Sequence, residues 1–333
     1  MNILFILGNG FDLNCGLKSS FNNAYEKYLQ NNNDDSENIK KLKTTIKANI
    51  NTWGDFEMRM AEYAKELNNE DEFIECIDDF LFFLNKYLDN EERIFIDNLS
   101  KYNNNKRLET ELKYSIYNFY LEFTDIITNV VKQSIYSEDI NYNLITFNYT
   151  NTIENLTKFL KTDLFSKIIH IHGNIDKEDM LLGIDNEQQL VGLPYKISNK
   201  ARRHFIKPVF NKEYNTKINE TKNIISKSRY ICVFGASLGD SDLMWRDELK
   251  RWLIEDDSRY LFIYDYKYSS IKCNTKKYVL DYEDIARNEY KNKLNLPDNP
   301  NIENRLCIMV GKNIFNYKKL FDNSFNVQIT NEF

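Results

Sequence analysis

The polar residues best placed to do chemistry follow two short apolar runs. Asn148 lies in Thr-Phe-Asn-Tyr-Thr at 146–150, directly after one run, and His172 follows the second run at 168–171. The chain has three histidines, and His170 also lies in this second segment. Imidazole exchanges a proton near neutral pH, and an amide can hold a polar ligand. Since parallel sheets hold ligands at the carboxyl ends of their strands, these residues predict a site at that edge.

Each of these residues also has a structural interpretation. Asn148 precedes a predicted helix and could cap it, but Thr150 or Asn151 could provide the cap and leave Asn148 facing a ligand. His172 could be a hydrogen-bonded histidine at a strand end. The adjacent Gly173 removes bulk where a ligand would enter, which favours the binding interpretation. His170 shares the face of His172 if the strand is regular, and we interpret it as a supporting residue.

A glycine-containing turn follows the first predicted strand. It consists of Gly8, Asn9, Gly10, Phe11 and Asp12. Glycines there let the backbone approach a ligand, and backbone N–H groups can hold a phosphate. A dinucleotide fingerprint would need a third glycine at Leu13, and the lysine of Gly-Leu-Lys-Ser at 16–19 is misplaced for a P-loop. A ligand loop and a simple tight turn therefore remain equal alternatives.

A second turn follows the strong strand signal at 229–234. Its sequence, Gly-Ala-Ser-Leu-Gly at 235–239, has the pattern of the nucleophile turn in α/β-hydrolases. In that fold the histidine follows the serine, whereas all three histidines here precede Ser237. Chain order disfavours a serine hydrolase and favours ribose or phosphate binding by Gly235 and Ser237. Asp265 ends the next strand, where a carboxylate can reach a ribose hydroxyl.

Three further acidic residues lie at predicted helix starts. Asp55 begins the segment after Trp53, and Asp240 and Asp242 precede the helix that starts near Leu243. Acidic residues at helix starts are favoured by the helix dipole and by capping. The sequence therefore predicts capping roles for all three, with no matching cluster for a metal ion.

Alternating strand and helix patterns predict an α/β protein with a Rossmann-like, mostly parallel sheet. Residues 20–137 repeat apolar side chains at helical spacing and predict a large helical insertion after the first strand. The remaining residues, 1–19 and 138–333, then form the nucleotide-binding domain. The predicted strands are 2–7, 142–146, 167–171, 180–183, 229–234, 259–264 and 306–310, and the predicted helices outside the insertion are 150–161, 212–228, 241–254 and 283–293.

Composition limits the function classes. The chain has 333 residues and a net charge of −6, with no basic stripe that would favour nucleic acid. Its five cysteines are scattered, which argues against disulfides and a zinc module. Neither a signal peptide nor an apolar run long enough for a membrane span is evident. We therefore expect a cytoplasmic protein with no membrane partner.

Five segments together resemble the bacteriophage abortive-infection AbiH family, a branch of the SIR2-like, sirtuin-related domains. The segments are Ile-Leu-Gly-Asn-Gly-Phe-Asp-Leu at 6–13, Trp-Gly-Asp-Phe-Glu at 53–57, Ile-Thr-Phe-Asn-Tyr-Thr at 145–150, Ile-His-Gly at 171–173 and Val-Phe-Gly-Ala-Ser-Leu-Gly-Asp-Ser-Asp at 233–242. They occur in this order and span most of residues 1–265.

The resemblance implies a pocket for NAD⁺, with the first turn at the pyrophosphate and nicotinamide and the second turn at the ribose-phosphate. Asn148 and His172 match the strand-end residues of that pocket. The four-cysteine zinc module of protein-deacylating sirtuins is missing, which points from deacylation toward hydrolysis of NAD⁺ as a substrate rather than a bound cofactor.

In the hydrolysis that the resemblance implies, Asn148 positions a water or ribose hydroxyl, His172 binds or deprotonates a ribose hydroxyl, and Asp12 stabilises positive charge. In related defence domains a small residue follows the Gly-Ala-Gly of the first turn, whereas Phe11 and Asp12 follow here, which leaves the chemistry of this turn open. Alternatives are a nucleotide sensor without turnover and a serine hydrolase using Ser237. The insertion could gate the pocket, form a homo-oligomer interface or sense a phage-derived trigger.

Overall fold

The computed structural model contains a six-stranded parallel sheet with the order β3-β2-β1-β4-β5-β6. It describes residues 1–31, 35–102, 104–177, 179–207, 212–265, 276–315 and 317. The strands are β1 (Asn2–Leu7), β2 (Asn141–Thr146), β3 (Lys167–His170), β4 (Ser228–Phe234), β5 (Tyr260–Asp265) and β6 (Leu306–Val310). The predicted α/β class with a Rossmann-like parallel sheet is confirmed. Apolar runs rather than alternation mark these strands because helices cover both faces of the sheet.

One predicted strand is wrong. Residues 180–183 form no strand, and the neighbouring Ile184 makes only an isolated parallel bridge to Ile206. The apolar side chains of Met180 and Leu182 instead enter a core that lies away from the sheet. A short apolar run without period-2 alternation does not distinguish a strand from a buried loop.

Thirteen helices are present in the described part of the chain. They are α1 (Asn9–Asn14), α2 (Phe21–Tyr28), α3 (Glu37–Ala48), α4 (Phe56–Tyr63), α5 (Glu70–Lys101), α6 (Asn105–Tyr117), α7 (Asp125–Ser137), α8 (Thr152–Leu160), α9 (Asn199–Phe205), α10 (Lys212–Lys227), α11 (Leu243–Glu255), α12 (Lys276–Lys293) and α13 (Pro300–Glu303). None of them is both long and apolar enough to cross a membrane.

Side-chain caps fix the starts of several helices. Ser20 accepts a hydrogen bond from the Asn23 backbone N–H at the start of α2. Asp55 does the same for Met58 N–H at the start of α4, as predicted. Such caps satisfy backbone donors that have no partner within the helix.

The helices α2 to α7 lie between β1 and β2, and α7 ends at the predicted boundary of the insertion, residue 137. They divide between two cores. Around α6 and α7, Phe119 packs edge-to-face on Phe5 of β1 and on Phe262 of β5, so this part covers one face of the sheet. Helices α2 to α5 share a separate core with residues 175–206. The other face of the sheet is covered by α10, α11 and α12.

The strand order places a topological switch point between β1 and β4. From β1 the chain continues to β2 and β3, which extend the sheet on one side of β1. The later strands β4, β5 and β6 extend the sheet on the other side of β1. Leu7 is in register with Thr146 of β2 and Phe234 of β4, so the segments that follow these three strands begin at the same level. A doubly wound sheet opens a crevice for ligands at this point.

Candidate functional site

A cavity of about 560 Å³ opens at the carboxyl ends of β1 and β4. Its volume lies within the range of small-molecule sites. All predicted site residues except Phe11 line it, namely Gly8, Asn9, Gly10, Asp12, Asn148, His172, Gly235, Ser237 and Asp265. The Phe11 ring is buried beneath the first turn, edge-to-face against Phe315 and Tyr317. The insertion contributes to the wall as well, through Phe21, Gly54, Asp55, Glu57, Leu84 and Leu88.

The glycines of the two turns pack the turns against each other. A Cβ on Gly8 would lie 2.4 Å from Ala236 Cα, and one on Gly10 would lie 2.5 Å from Gly235 Cα. Gly8 and Gly10 N–H donate to the carbonyl oxygens of Phe234 and Gly235, both at 3.0 Å. Gly235 has φ +69°, a conformation that favours glycine. These hydrogen bonds hold the two turns together, and residues of both turns form the floor of the cavity.

His170 fixes the segment that carries Asn148. Its Nδ1 donates to the Asn148 carbonyl oxygen at 2.9 Å, and its Nε2 lies 2.6 Å from Glu154 Oε1. Both partners are acceptors, which favours the doubly protonated ring. Burial lowers the pKa of His170, but the Glu154 hydrogen bond and charge outweigh it and the pKa is raised. His170 is thus a positioning residue.

Asp12 is a buried carboxyl on the cavity wall. The Thr150 hydroxyl donates to its Oδ2 at 2.5 Å, and Thr152 donates in turn to Thr150. Its Oδ1 is buried and has no hydrogen-bond partner in the described structure. Burial raises the pKa of Asp12 to about 7, against the opposing influence of Thr150, Thr152 and Asn148. The cavity therefore contains a carboxyl that is both a proton donor and an acceptor near neutral pH.

His172 faces an acidic partner that the sequence assigned to a helix cap. Asp242 Oδ1 lies 3.2 Å from His172 Nε2 and 3.3 Å from Lys207 Nζ. Neither Asp240 nor Asp242 makes a side-chain capping bond, so these two capping predictions are wrong. Asp240 pairs instead with Arg246 at 2.6 Å. Each acid instead pairs with a positively charged side chain, Asp242 with Lys207 and Asp240 with Arg246. A full positive charge attracts a carboxylate more strongly than a helix terminus does.

Asp242, Lys207 and burial together set the protonation state of His172. Burial and the Lys207 charge lower the pKa of His172, and Asp242 opposes them. Burial works against ionisation of Asp242, but Lys207 and His172 hold its pKa well below the usual range. At neutral pH the imidazole is thus neutral and can accept a proton. Its ring packs edge-to-face on Phe147 with a centroid distance of 5.3 Å.

Glu57 is a cavity residue to which sequence reasoning gave no role. It is buried in the wall that the insertion supplies, and burial raises its pKa to about 8 despite the nearby Lys207 charge. Asp55, its neighbour, has a pKa raised by burial. Glu57 lies in the Trp-Gly-Asp-Phe-Glu segment, so the sequence did contain a motif that could indicate its role. Lys207 lies in no such motif, and the sequence gives no indication of its role. In the part of the chain that the structure describes, no group of three or more His, Cys, Asp or Glu could hold a metal ion.

Ser237 is not arranged as a hydrolase nucleophile. Among the described residues Ser237 makes no hydrogen bond to a histidine, although His172 lines the same cavity. A nucleophile turn also strains the serine backbone. Here the positive φ of 48° belongs to the next residue, Leu238. The Ser237 carbonyl accepts a hydrogen bond from Lys293 at 2.7 Å.

The fold and the cavity place this protein in the class of doubly wound α/β proteins that bind small molecules at the switch point of the sheet. Members of this class have many different functions. Residues 4–264 match the family described as bacteriophage abortive infection AbiH. The match covers most of the 333 residues, so the chain belongs to this family and functions in abortive infection against bacteriophage. No curated protein matches the chain in sequence.

Proposed function

We propose that this protein hydrolyses NAD⁺ at the bond between nicotinamide and ribose during abortive infection. The observation that carries the proposal is that Asp12, Asn148 and His172 line one cavity at the switch point. They come from three different parts of the sequence, and both glycine turns border the same space. The SIR2-like resemblance supplies the substrate class.

In the proposed reaction the C1′–nitrogen bond breaks and nicotinamide leaves with the bonding electron pair. Positive charge develops on the ribose, and a water oxygen forms the new bond to C1′ and releases a proton. Ionised Asp12 stabilises the developing charge, and this electrostatic stabilisation is strong because the site is buried. Neutral His172 accepts a proton from a ribose hydroxyl or from water, and Asn148 orients the attacking oxygen. ADP-ribose, nicotinamide and a proton are the products.

The direct test is nicotinamide release from NAD⁺ by purified protein, alone and with extract of phage-challenged cells. Wild type should release nicotinamide, whereas His172→Ala and Asn148→Ala should reduce the rate by about 10²-fold or more. His204→Ala is the matched control because His204 pairs with Asp78 outside the cavity. No release by wild type under either condition contradicts the proposal.

The binding-only alternative gives a different result in the same experiment. A nucleotide sensor would bind NAD⁺ tightly, form no product and keep its affinity in His172→Ala. The predicted phage-derived trigger is addressed by the comparison with and without extract. Homo-oligomer formation stays a prediction that sedimentation of the purified protein can check.

A further inference from the structure

The charge of the cavity is one-sided. Among the described residues that line it, five are acidic and none is lysine or arginine. The five acids are Asp12, Asp55, Glu57, Asp242 and Asp265. Lys207 lies behind this wall, where its ammonium group contacts Asp242 and the Ser241 carbonyl oxygen. A second cation, Lys293, donates to the Ser237 carbonyl oxygen at the other turn and lies near Asp265. Asp55 and Glu57 make no ion pair among the described residues, so their side of the cavity favours a cation as they ionise.

Asp55 and Glu57 are the acids that the insertion adds. Asp55 uses its Oδ1 to cap α4, and its Oδ2 lies 3.4 Å from the Ser241 hydroxyl, so its position is fixed. Glu57 is held close by on the first turn of α4. The other ionisable groups around this wall are Asp185, Asp242, Lys207, His172, Tyr149 and Tyr25.

Aromatic rings border the same side of the cavity. Phe147 and Tyr149 both line it and both lie beside His172, at centroid distances of 5.3 and 6.3 Å. Phe21, Leu84 and Leu88 extend the apolar surface from the insertion. Aromatic faces attract cations, and apolar side chains accommodate a flat ring. The buried Oδ1 of Asp12, which lacks a hydrogen-bond partner, adds an acceptor on the same cavity.

We propose that Asp55 and Glu57 of the insertion, together with Phe147 and Tyr149, form a subsite for a flat aromatic cation. This rests on the proposed function, in which the cation is the pyridinium ring of the oxidised dinucleotide. The subsite selects NAD⁺ over NADH, whose nicotinamide ring is neutral. It also rejects the nicotinic-acid dinucleotide, because a carboxylate would face the acidic wall.

Binding of two small probes tests the subsite without any hydrolysis. 1-Methylnicotinamide carries the pyridinium charge, and nicotinamide is its neutral counterpart. Calorimetry at neutral pH should show that wild type binds the cation about tenfold more tightly. Asp55→Asn keeps the helix cap and removes the charge, so it should reduce this preference to about threefold or less. Glu62→Gln, on the exposed side of α4, is the matched control and should keep it.

A pH series separates Glu57 from the other acids. Because Glu57 becomes ionised as the pH rises through about 8, the cation preference of wild type should increase between pH 6.5 and 9. Asp12, whose pKa is about 7, contributes to the lower part of this increase, and Glu57→Gln should remove the part that is centred near pH 8. Equal affinities for the two probes in wild type, or no affinity for the cation, overturn the subsite.

The outcomes for the subsite and for the proposed function are distinguishable. Cation preference without nicotinamide release from NAD⁺ supports the subsite and contradicts hydrolysis. Release of nicotinamide without cation preference supports hydrolysis and contradicts the subsite.

Discussion

Asp242 Oδ1 lies 3.2 Å from Nε2 of His172 in the interior of the protein. The two residues come from segments that follow different strands, β3 and β4. This contact places the imidazole on the cavity wall, and Lys207, which contacts the same Oδ1, keeps the carboxylate ionised. A buried histidine held by a carboxylate is a common arrangement for proton transfer.

The first prediction concerns this contact. Asp242→Asn should lower the rate of NAD⁺ hydrolysis by about 10²–10⁴-fold, because the imidazole loses its orienting charge. It should also lower the pKa of His172 further, since Asp242 is the group that raises it. The acid limb of the pH–rate profile should therefore move to lower pH. Asp240→Asn, which removes the adjacent acid paired with Arg246, is the control and should leave the profile in place.

The second prediction concerns the cost of burying Asp12. Its pKa is raised from 3.8 to about 7, so the folded protein binds a proton that the unfolded chain has lost. The contribution of Asp12 to the free energy of unfolding therefore falls as pH rises from about 4 to about 7, and it stays low at higher pH. Asp12→Asn removes the burial cost and should stabilise the protein at pH 8 by up to about 4 kcal/mol, while stopping hydrolysis.

Urea unfolding at pH 4 and pH 8 measures this effect. The gain in Asp12→Asn should be large at pH 8 and small at pH 4, where both folded and unfolded wild type carry the proton more fully. Asp97→Asn, an exposed acid on α5, should show no such gain. A gain of the same size at both pH values would contradict the assignment of the cost to Asp12.

The third prediction concerns Glu92 in the C-terminal half of α5. Its carboxylate accepts from the Asn151 backbone N–H at 2.6 Å and from Asn155 Nδ2 at 2.8 Å, which anchors the start of α8. Glu92→Ala leaves the buried Asn151 N–H without this partner and should cost about 1–3 kcal/mol. Nicotinamide release should also fall, because Asn148 lies on the same segment. Asp97→Ala on the same helix is the control for both the unfolding midpoint and the rate.

The fourth prediction concerns the contact of the two glycine turns. Gly10→Ala would bring a Cβ to 2.5 Å from the Gly235 Cα, so the turns must separate. We expect a destabilisation of at least 1–3 kcal/mol, as for other overpacked sites. Gly54→Ala is the matched control, since its Cβ would meet only the Asn51 carbonyl oxygen at 4.0 Å and its φ is −62°. Thermal unfolding of the two variants should differ clearly, and similar midpoints would contradict close packing of the turns.

Local sequence predicted the sheet and the cavity floor because both depend on short segments. Residues Ile3–Leu7 are continuously apolar and are followed by glycine, and Tyr230–Phe234 repeat this pattern before Gly235. Parallel strands of similar length bring their following turns to one edge. The residues of these turns could therefore be assigned to one site without knowledge of the tertiary structure.

The acidic wall could not be predicted in this way because its partners are distant in sequence. Asp242 looks like a capping residue until Lys207 and His172 are seen beside it. Lys207 lies in a stretch without a recognisable motif, and its burial depends on packing of α2 to α5 against residues 175–206. Likewise, the strand predicted at 180–183 is wrong because the side chains of Met180 and Leu182 face that second core, while Leu181 packs against the sheet.

Helix α5 spans 32 residues, a length of about 48 Å at the usual rise per residue. In its C-terminal half, Glu91 accepts from Lys18 N–H and Glu92 accepts from Asn151 N–H, so the helix holds the segments that follow β1 and β2. Phe82, Ile94 and Ile96 of the same helix are exposed. One side of the helix thus meets solvent, while its other side holds two segments that also meet each other through the Thr150–Asp12 hydrogen bond. A displacement of α5 would therefore carry both segments, and the Asp12 carboxyl with them.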